Sequence, residues 1–161
     1  MKKSTSDLCD HYSDVLQILE PLYQNYGQKQ KFEGQVVTVK CFEDNSMVKQ
    51  LSTESGQGQV LVVDGGGSLR HALLGDLIAA KFVENGWSGL VIHGCVRDVE
   101  ILKTLNLGVR ALNSIPIKSA RKGLGETGMP IRIAGANINT GDWIYVDETG
   151  IIVSKKQLAE D

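Results

Sequence analysis

Apolar residues in this chain follow two rhythms, and the switch between them predicts the central fold. Gln59-Val-Leu-Val-Val-Asp64 is apolar almost without interruption and stops at Gly65-Gly66-Gly67, as expected of a strand covered on both faces in a parallel sheet. From Gly75 to Asn85 the spacing becomes helical, with Ile78, Ala79, Phe82 and Val83 on one face and Gly86 placed to end the helix. Gly89-Leu-Val-Ile-His93 is a second buried strand. A right-handed crossover between these strands brings their C-terminal ends to one rim, where open α/β sheets hold ligands.

The flanks are built from shorter pieces. Thr5 or Ser6 caps a short helix through Tyr12, followed by irregular chain with a short strand up to Gly27. Gly34 to Phe42 is strand-like, and Met47, Val48 and Leu51 give 46–52 a helical face. Val99 to Leu105 predicts another short helix and Val109 to Leu112 a strand. Pro130 to Ile138, Trp143 to Val146 and Ile151 to Ser154 are short strands, separated by turns at Asn139-Thr-Gly141 and Glu148-Thr-Gly150. Layered sheets and helices follow.

Composition narrows the function classes. The 161 residues suit one domain, and 18 glycines mark frequent tight turns rather than a linker. Cys9, Cys41 and Cys95 are odd in number, with no C-x-x-C pair, so a zinc knuckle or disulfide framework is not expected. The start, MKKSTSDLCDHY, has no apolar stretch after its lysines, and no run approaches the roughly 20 apolar residues of a membrane span. The expected location is cytoplasmic. A net charge of −2 gives no cationic excess for a phosphate backbone, which disfavours direct nucleic-acid binding.

Val-Val-Asp-Gly-Gly-Gly looks like a nucleotide or S-adenosylmethionine turn but lacks the G-x-G-x-x-G spacing that opens a helix. His11, His71 and His93 lack metal-ligand spacing. More informative is Gly75-Asp76-Leu77-Ile78, followed after Asp76 by twenty residues and then Arg97-Asp98, with both segments at the ligand-binding rim. Two readings stand side by side. In one, Asp76 caps its helix and Arg97 pairs with Asp98 or another surface charge. In the other, the Leu77 and Ile78 amides at the helix start receive a carboxylate, and Gly75 permits close approach. Arg97 then faces an enolate or carboxylate oxygen, Asp98 offers a hard ligand to Mg²⁺ or Mn²⁺, and Asp76 holds a metal-bound water.

Through these residues the chain resembles the RraA-like family, which includes the regulator of ribonuclease E activity A and the class II 4-hydroxy-4-methyl-2-oxoglutarate aldolases. The likeness spans the chain in SDLCDHY, FEGQVVTVKCFEDN, VLVVDGGGSLR, GLVIHGCVRDV and GDWIYVDETGIIVS. Asp76, Arg97 and Asp98 meet the aldolase pattern of Asp, twenty residues, then Arg-Asp; regulator members often carry another residue after the Arg. The resemblance implies an α/β fold, a swivelling β/β/α layered single domain over 1–161, and a homotrimer with sites near subunit boundaries. It implies substrate binding by Gly75, Asp76, Leu77, Ile78 and Arg97, catalysis by Arg97 and Asp76, and a divalent cation, Mg²⁺ or Mn²⁺, on Asp98. The implied reaction cleaves 4-hydroxy-4-methyl-2-oxoglutarate to two pyruvates, with oxaloacetate decarboxylation through the same pyruvate enolate. Longer aldolases carry a C-terminal extension bringing an acidic side chain from a neighbouring subunit; without it, weaker activity or a different substrate preference is expected. The alternative role is a non-catalytic regulator that binds ribonuclease E. A Schiff-base mechanism on a desolvated Lys81 or Lys118 is the competing chemistry.

Overall fold

The computed structural model describes residues 1–159. In chain order it contains α1 (Thr5–Tyr12), β1 (Leu16–Ile18), β2 (Gln24–Asn25), β3 (Phe32–Lys40), α2 (Ser46–Ser52), β4 (Gln59–Asp64), β5 (Ala72–Leu74), α3 (Asp76–Glu84) and β6 (Gly89–Val96). It continues through α4 (Val99–Leu102), β7 (Gly108–Ser114), β8 (Glu126–Thr127), β9 (Ile131–Ile133), β10 (Ala136–Ile138), β11 (Trp143–Val146) and β12 (Ile151–Ser154). Among the described residues, ten strands form one sheet along the path β1-β12-β11-β3-β4-β6-β7-β2, with β5 beside the end of β6 and β8 beside β3. β3, β4, β6 and β7 run parallel, whereas β11, β12 and β1 continue the sheet antiparallel. No helix among the described residues is long and apolar enough to cross a membrane.

Alternation along the parallel strands creates two cores. Leu61, Val63, Leu90 and Ile92 pack with Val48 and Leu51 of α2 and Ile78 and Phe82 of α3. Val60, Val62 and Val91 face the other way, onto Ile131, Ile133 and Ile138 of the β9–β10 hairpin and Ile144, Val146 and Val153 of β11 and β12. Helices therefore cover one face of the parallel strands, and the β9–β10 hairpin with apolar side chains of β11 and β12 covers the other. The continuous apolar run of β4 is explained by this double covering.

The element boundaries differ from the sequence expectation where chain geometry intervenes. β6 does not stop at His93 but runs to Val96, with its register to β7 shifting between Ile92 and Cys95. The stretch expected as one strand up to Ile138 divides into β9 and β10 at Ala134-Gly135, both of which take positive φ, 47° and 79°. Ser4, rather than Thr5 or Ser6, caps α1, exchanging hydrogen bonds with Asp7 in a capping box. α4 ends at Leu102, earlier than the expected Leu105, and its exit is a tighter turn in which the Thr104 N–H reaches Ile101 O.

One close approach locks β3 against the parallel strands. Gly89 and Gly108 face each other across β6 and β7, and Phe32 fills the slot they leave. A Cβ at position 108 would stand 2.1 Å from Phe32 Cδ1. Gly108→Ala is expected to lower unfolding stability by about 1–3 kcal/mol through overpacking, read as a reduced urea midpoint. Gly150→Ala, where a Cβ meets nothing within 4 Å, is the control and should change stability by less than about 0.5 kcal/mol.

Candidate active site

Three chain segments meet at the end of β6. β5 pairs with β6 so that Leu74 lies beside Val96, and the Arg97 N–H donates to Leu74 O at 2.9 Å. This single crossing places the start of α3 next to the turn that follows β6. The Asp98 Oδ2 then accepts the Asp76 N–H at 3.0 Å, and Asp76 Oδ1 accepts the Leu77 N–H at 2.9 Å. Arg97 Nε lies 3.8 Å from Asp98 Oδ2, with both side chains about one-third exposed (34% and 33%).

The local backbone is shaped for this arrangement. Asp98 has φ 56° and ψ 42°, the left-handed region that non-glycine residues enter at a cost of about 1–2 kcal/mol. Gly75 is the N-cap of α3 but has no side chain with which to cap it. The capping is supplied instead by Asp98, from 22 residues away in sequence. A Cβ on Gly75 would stand 2.8 Å from Asp98 Oδ2 and 3.2 Å from Arg97 Nε. Gly75 is thus a requirement of close approach, not of backbone rotation.

The structure brings Gly75, Asp76, Arg97 and Asp98 together, while Leu77 and Ile78 contribute through their backbone. The Leu77 side chain points into solvent, and Ile78 is buried in the helix-side core. The expectation that Asp76 caps the helix is corrected, since Asp98 takes the first amide and Asp76 the second. Of the two amides expected to receive an incoming carboxylate, that of Leu77 is already engaged by Asp76, while Asp98 engages the amide before it.

Among the described residues no group of three or more His, Cys, Asp and Glu gathers around a point. A cation at this site would rest mainly on Asp98, with water completing its shell. Mg²⁺ accepts that donor set, whereas structural Zn²⁺ does not. Asp98 fits the role because it is partly exposed and only Oδ2 is engaged by the helix amide.

The Asp76–Arg97 cleft continues to Asn45, Lys118 and Arg121. Asn45 and Arg121 had no recognisable spacing to the other site residues, because they arrive on two separate segments that are hydrogen-bonded to each other and to β5. Lys81 and Lys118 are both exposed, and Lys81 pairs with Glu84 at 3.3 Å. Neither has the desolvation that activates an amine, so Schiff-base chemistry lacks its physical premise.

The other sequence candidates have structural partners. Within the Gly65–Gly67 turn, the Gly65 and Gly67 N–H groups both donate to His93 O at 3.1 Å and the Gly66 N–H to Asp64 Oδ1 at 2.9 Å, and no helix begins there. His11 lies 2.9 Å from Asp7 O, whereas His71 Nδ1 lies 3.2 Å from Glu43 Oε2 without forming a hydrogen bond. His93 Nδ1 lies 2.8 Å from the Tyr23 hydroxyl. Burial holds His93 below its ordinary pKa of 6.5, opposed by nearby Asp64 and Glu20.

Comparison with known proteins agrees with the whole-chain pattern. The family model described as "RraA-like: Aldolase/RraA" matches residues 5–153. A protein of Pseudomonas fluorescens (strain SBW25), named "Putative 4-hydroxy-4-methyl-2-oxoglutarate aldolase", is 52% identical over 96% of this chain and 94% of its own length. The structure of the RNA-processing inhibitor RraA from Thermus thermophilis superposes with a TM-score of 0.95, at 40% identity over 99% of this chain and 97% of the other. A structure from Geobacillus kaustophilus, described as an S-adenosylmethionine:2-dimethylmenaquinone methyltransferase, also gives 0.95 at 40% identity, covering 97% of each chain.

Two outcomes test this geometry. Gly75→Ala should destabilise the fold by about 1–3 kcal/mol, and Asp98→Ala in the same chain should restore part of that loss by removing a clashing atom; a urea-unfolding double-mutant cycle measures the coupling. For His93, the unfolded chain binds a proton at a higher pH than the folded one, so its contribution to stability is present above pH 6.5 and declines as pH falls below it. Ring resonances should therefore titrate below 6.5 in an NMR pH series.

Proposed function

The chain belongs to the RraA-like family, and on that premise we propose that it is a divalent-metal-dependent class II aldolase cleaving 4-hydroxy-4-methyl-2-oxoglutarate to two pyruvates. The observation carrying this reading is the meeting of Arg97, Asp98 and the start of α3 around Gly75. A guanidinium, a hard carboxylate ligand and helix-terminal amides then surround one small region. Such a region stabilises negative charge on a 2-oxo acid.

The residues divide the work by charge. The amides at the start of α3 orient the C1 carboxylate, displacing Asp76 Oδ1 from the Leu77 N–H. A water held by Asp76 takes the C4 hydroxyl proton as it passes one of its own to the Asp76 carboxylate. The C3–C4 bond breaks as C4 becomes a carbonyl, and its electron pair gives an enolate spanning C3, C2 and the keto oxygen. Arg97 faces the charge that develops on that oxygen, and return of the proton through the same water to C3 yields the second pyruvate. A divalent cation on Asp98 would supply Lewis-acid stabilisation to the same oxygen. Oxaloacetate loses CO₂ through the same enolate without deprotonation of a hydroxyl, so decarboxylation is the proposed side activity.

A regulatory role as a ribonuclease E-binding protein is supported by the likeness to the Thermus inhibitor structure. The aldolase reading is favoured by Asp98, whose left-handed backbone and partly exposed carboxylate are unnecessary for a docking surface. The methyltransferase description is not carried over, because the glycine turn spends its amides internally and opens no helix.

Pyruvate release from 4-hydroxy-4-methyl-2-oxoglutarate should require Mg²⁺ or Mn²⁺ and stop with a chelator. Arg97→Ala should slow turnover by roughly 10²–10³, and Asp98→Ala should abolish the metal-dependent rate. Unchanged metal-dependent turnover in Asp98→Ala would overturn its assignment. A pull-down with purified ribonuclease E separates the regulatory reading.

A further inference from the structure

The proposed substrate has a second carboxylate, at C5, for which the Arg97 and α3 region leaves no remaining cation. Across the cleft stand Lys118 and Arg121, and neither forms an ion pair among the described residues. Arg121 is not a loose surface side chain. Its Nε donates to Asn45 Oδ1 at 3.2 Å, while Asn45 Nδ2 donates to Leu73 O at 3.2 Å. Asn45 is 5% exposed, so one end of the guanidinium is tied to the same β5 segment that delivers Gly75.

The segment carrying Lys118 and Arg121 is fastened along both sides. On one side, the Ala72 N–H donates to Ile117 O at 2.7 Å and the Ser119 N–H to Ala72 O at 3.2 Å. On the other, Ala120 exchanges backbone hydrogen bonds with Glu43 and Asn45, and Asp44 Oδ2 accepts the Lys122 N–H at 2.7 Å. Asp44 is 1% exposed and also takes the Ser46 N–H at 2.9 Å. Burial pushes its carboxyl pKa up, but the hydrogen bonds from Ser46, Lys122 and Leu124 outweigh this and hold it below the ordinary value. A charged, buried carboxylate thus fixes the backbone beneath two unpaired cations.

We infer that Arg121, assisted by Lys118, anchors the distal carboxylate of a dicarboxylic 2-oxo acid, and that Asp44 is a positioning residue acting through the 118–122 segment. This deepens the proposed function and rests on its placement of the 2-oxo group beside Arg97. The cleft selects for a second negative charge at its far end. Monocarboxylic 2-oxo acids of the same length meet only the Arg97 half.

The test is calorimetric titration, in Mg²⁺, with 2-oxoglutarate and with 2-oxopentanoate, which match in chain length and differ in the distal carboxylate. The parent chain should bind the dicarboxylate at least about tenfold more tightly, and Arg121→Ala should bring the two within about twofold of each other. Arg121→Lys should recover part of the preference. Asp44→Asn should reduce the preference and cause little further loss in an Arg121→Ala background, because both act through one arm. Equal affinity in the parent, no binding of either acid, or a preference that survives Arg121→Ala overturns the proposal. A clear preference in a chain that releases no pyruvate from 4-hydroxy-4-methyl-2-oxoglutarate instead sinks the aldolase reading while the anchor stands.

Discussion

The candidate site depends on one carboxylate held where two strands and a helix converge. Asp98 caps α3 only because the end of β6 carries Arg97 past Leu74 of β5 and the backbone then turns left-handed. The Asp76 amide and the dipole of α3 favour a negative charge at that point. The same charge draws the Arg97 guanidinium toward the helix start. If the carboxylate were absent, the first amide of α3 would be uncapped and the guanidinium would lose its neighbour.

Much of the fold was legible from two periodicities. β4 and α3 could be found because a doubly buried strand and a one-sided helix leave different apolar patterns, and the end of β6 was obscured only by His93 and Gly94 interrupting its apolar run. The strands β2, β5 and β8 were not legible. They span two or three residues and exist because neighbouring backbone offers pairing, not because their own side chains demand it.

At the site, Gly75, Asp76, Arg97 and Asp98 could be placed together because the crossover rule brings strand ends to one rim. The division of labour at the helix terminus could not be foreseen, since capping from 22 residues away leaves no local mark. Asn45 and Arg121 were hidden for a related reason. They join the cleft through hydrogen bonds between loops, whose pairing is set by backbone geometry and not by residue spacing.

The two sides of the cleft therefore tolerate change very differently. A side chain at position 75 would press directly on Asp98 and Arg97, which ties any change on that side to the residues that meet the shared part of all substrates. Across from it, Lys118 and Arg121 project from an exposed loop whose backbone is secured independently of their side chains. Diversification of substrate choice within this scaffold can consequently proceed by exchanging side chains on that loop alone, leaving the reactive half untouched.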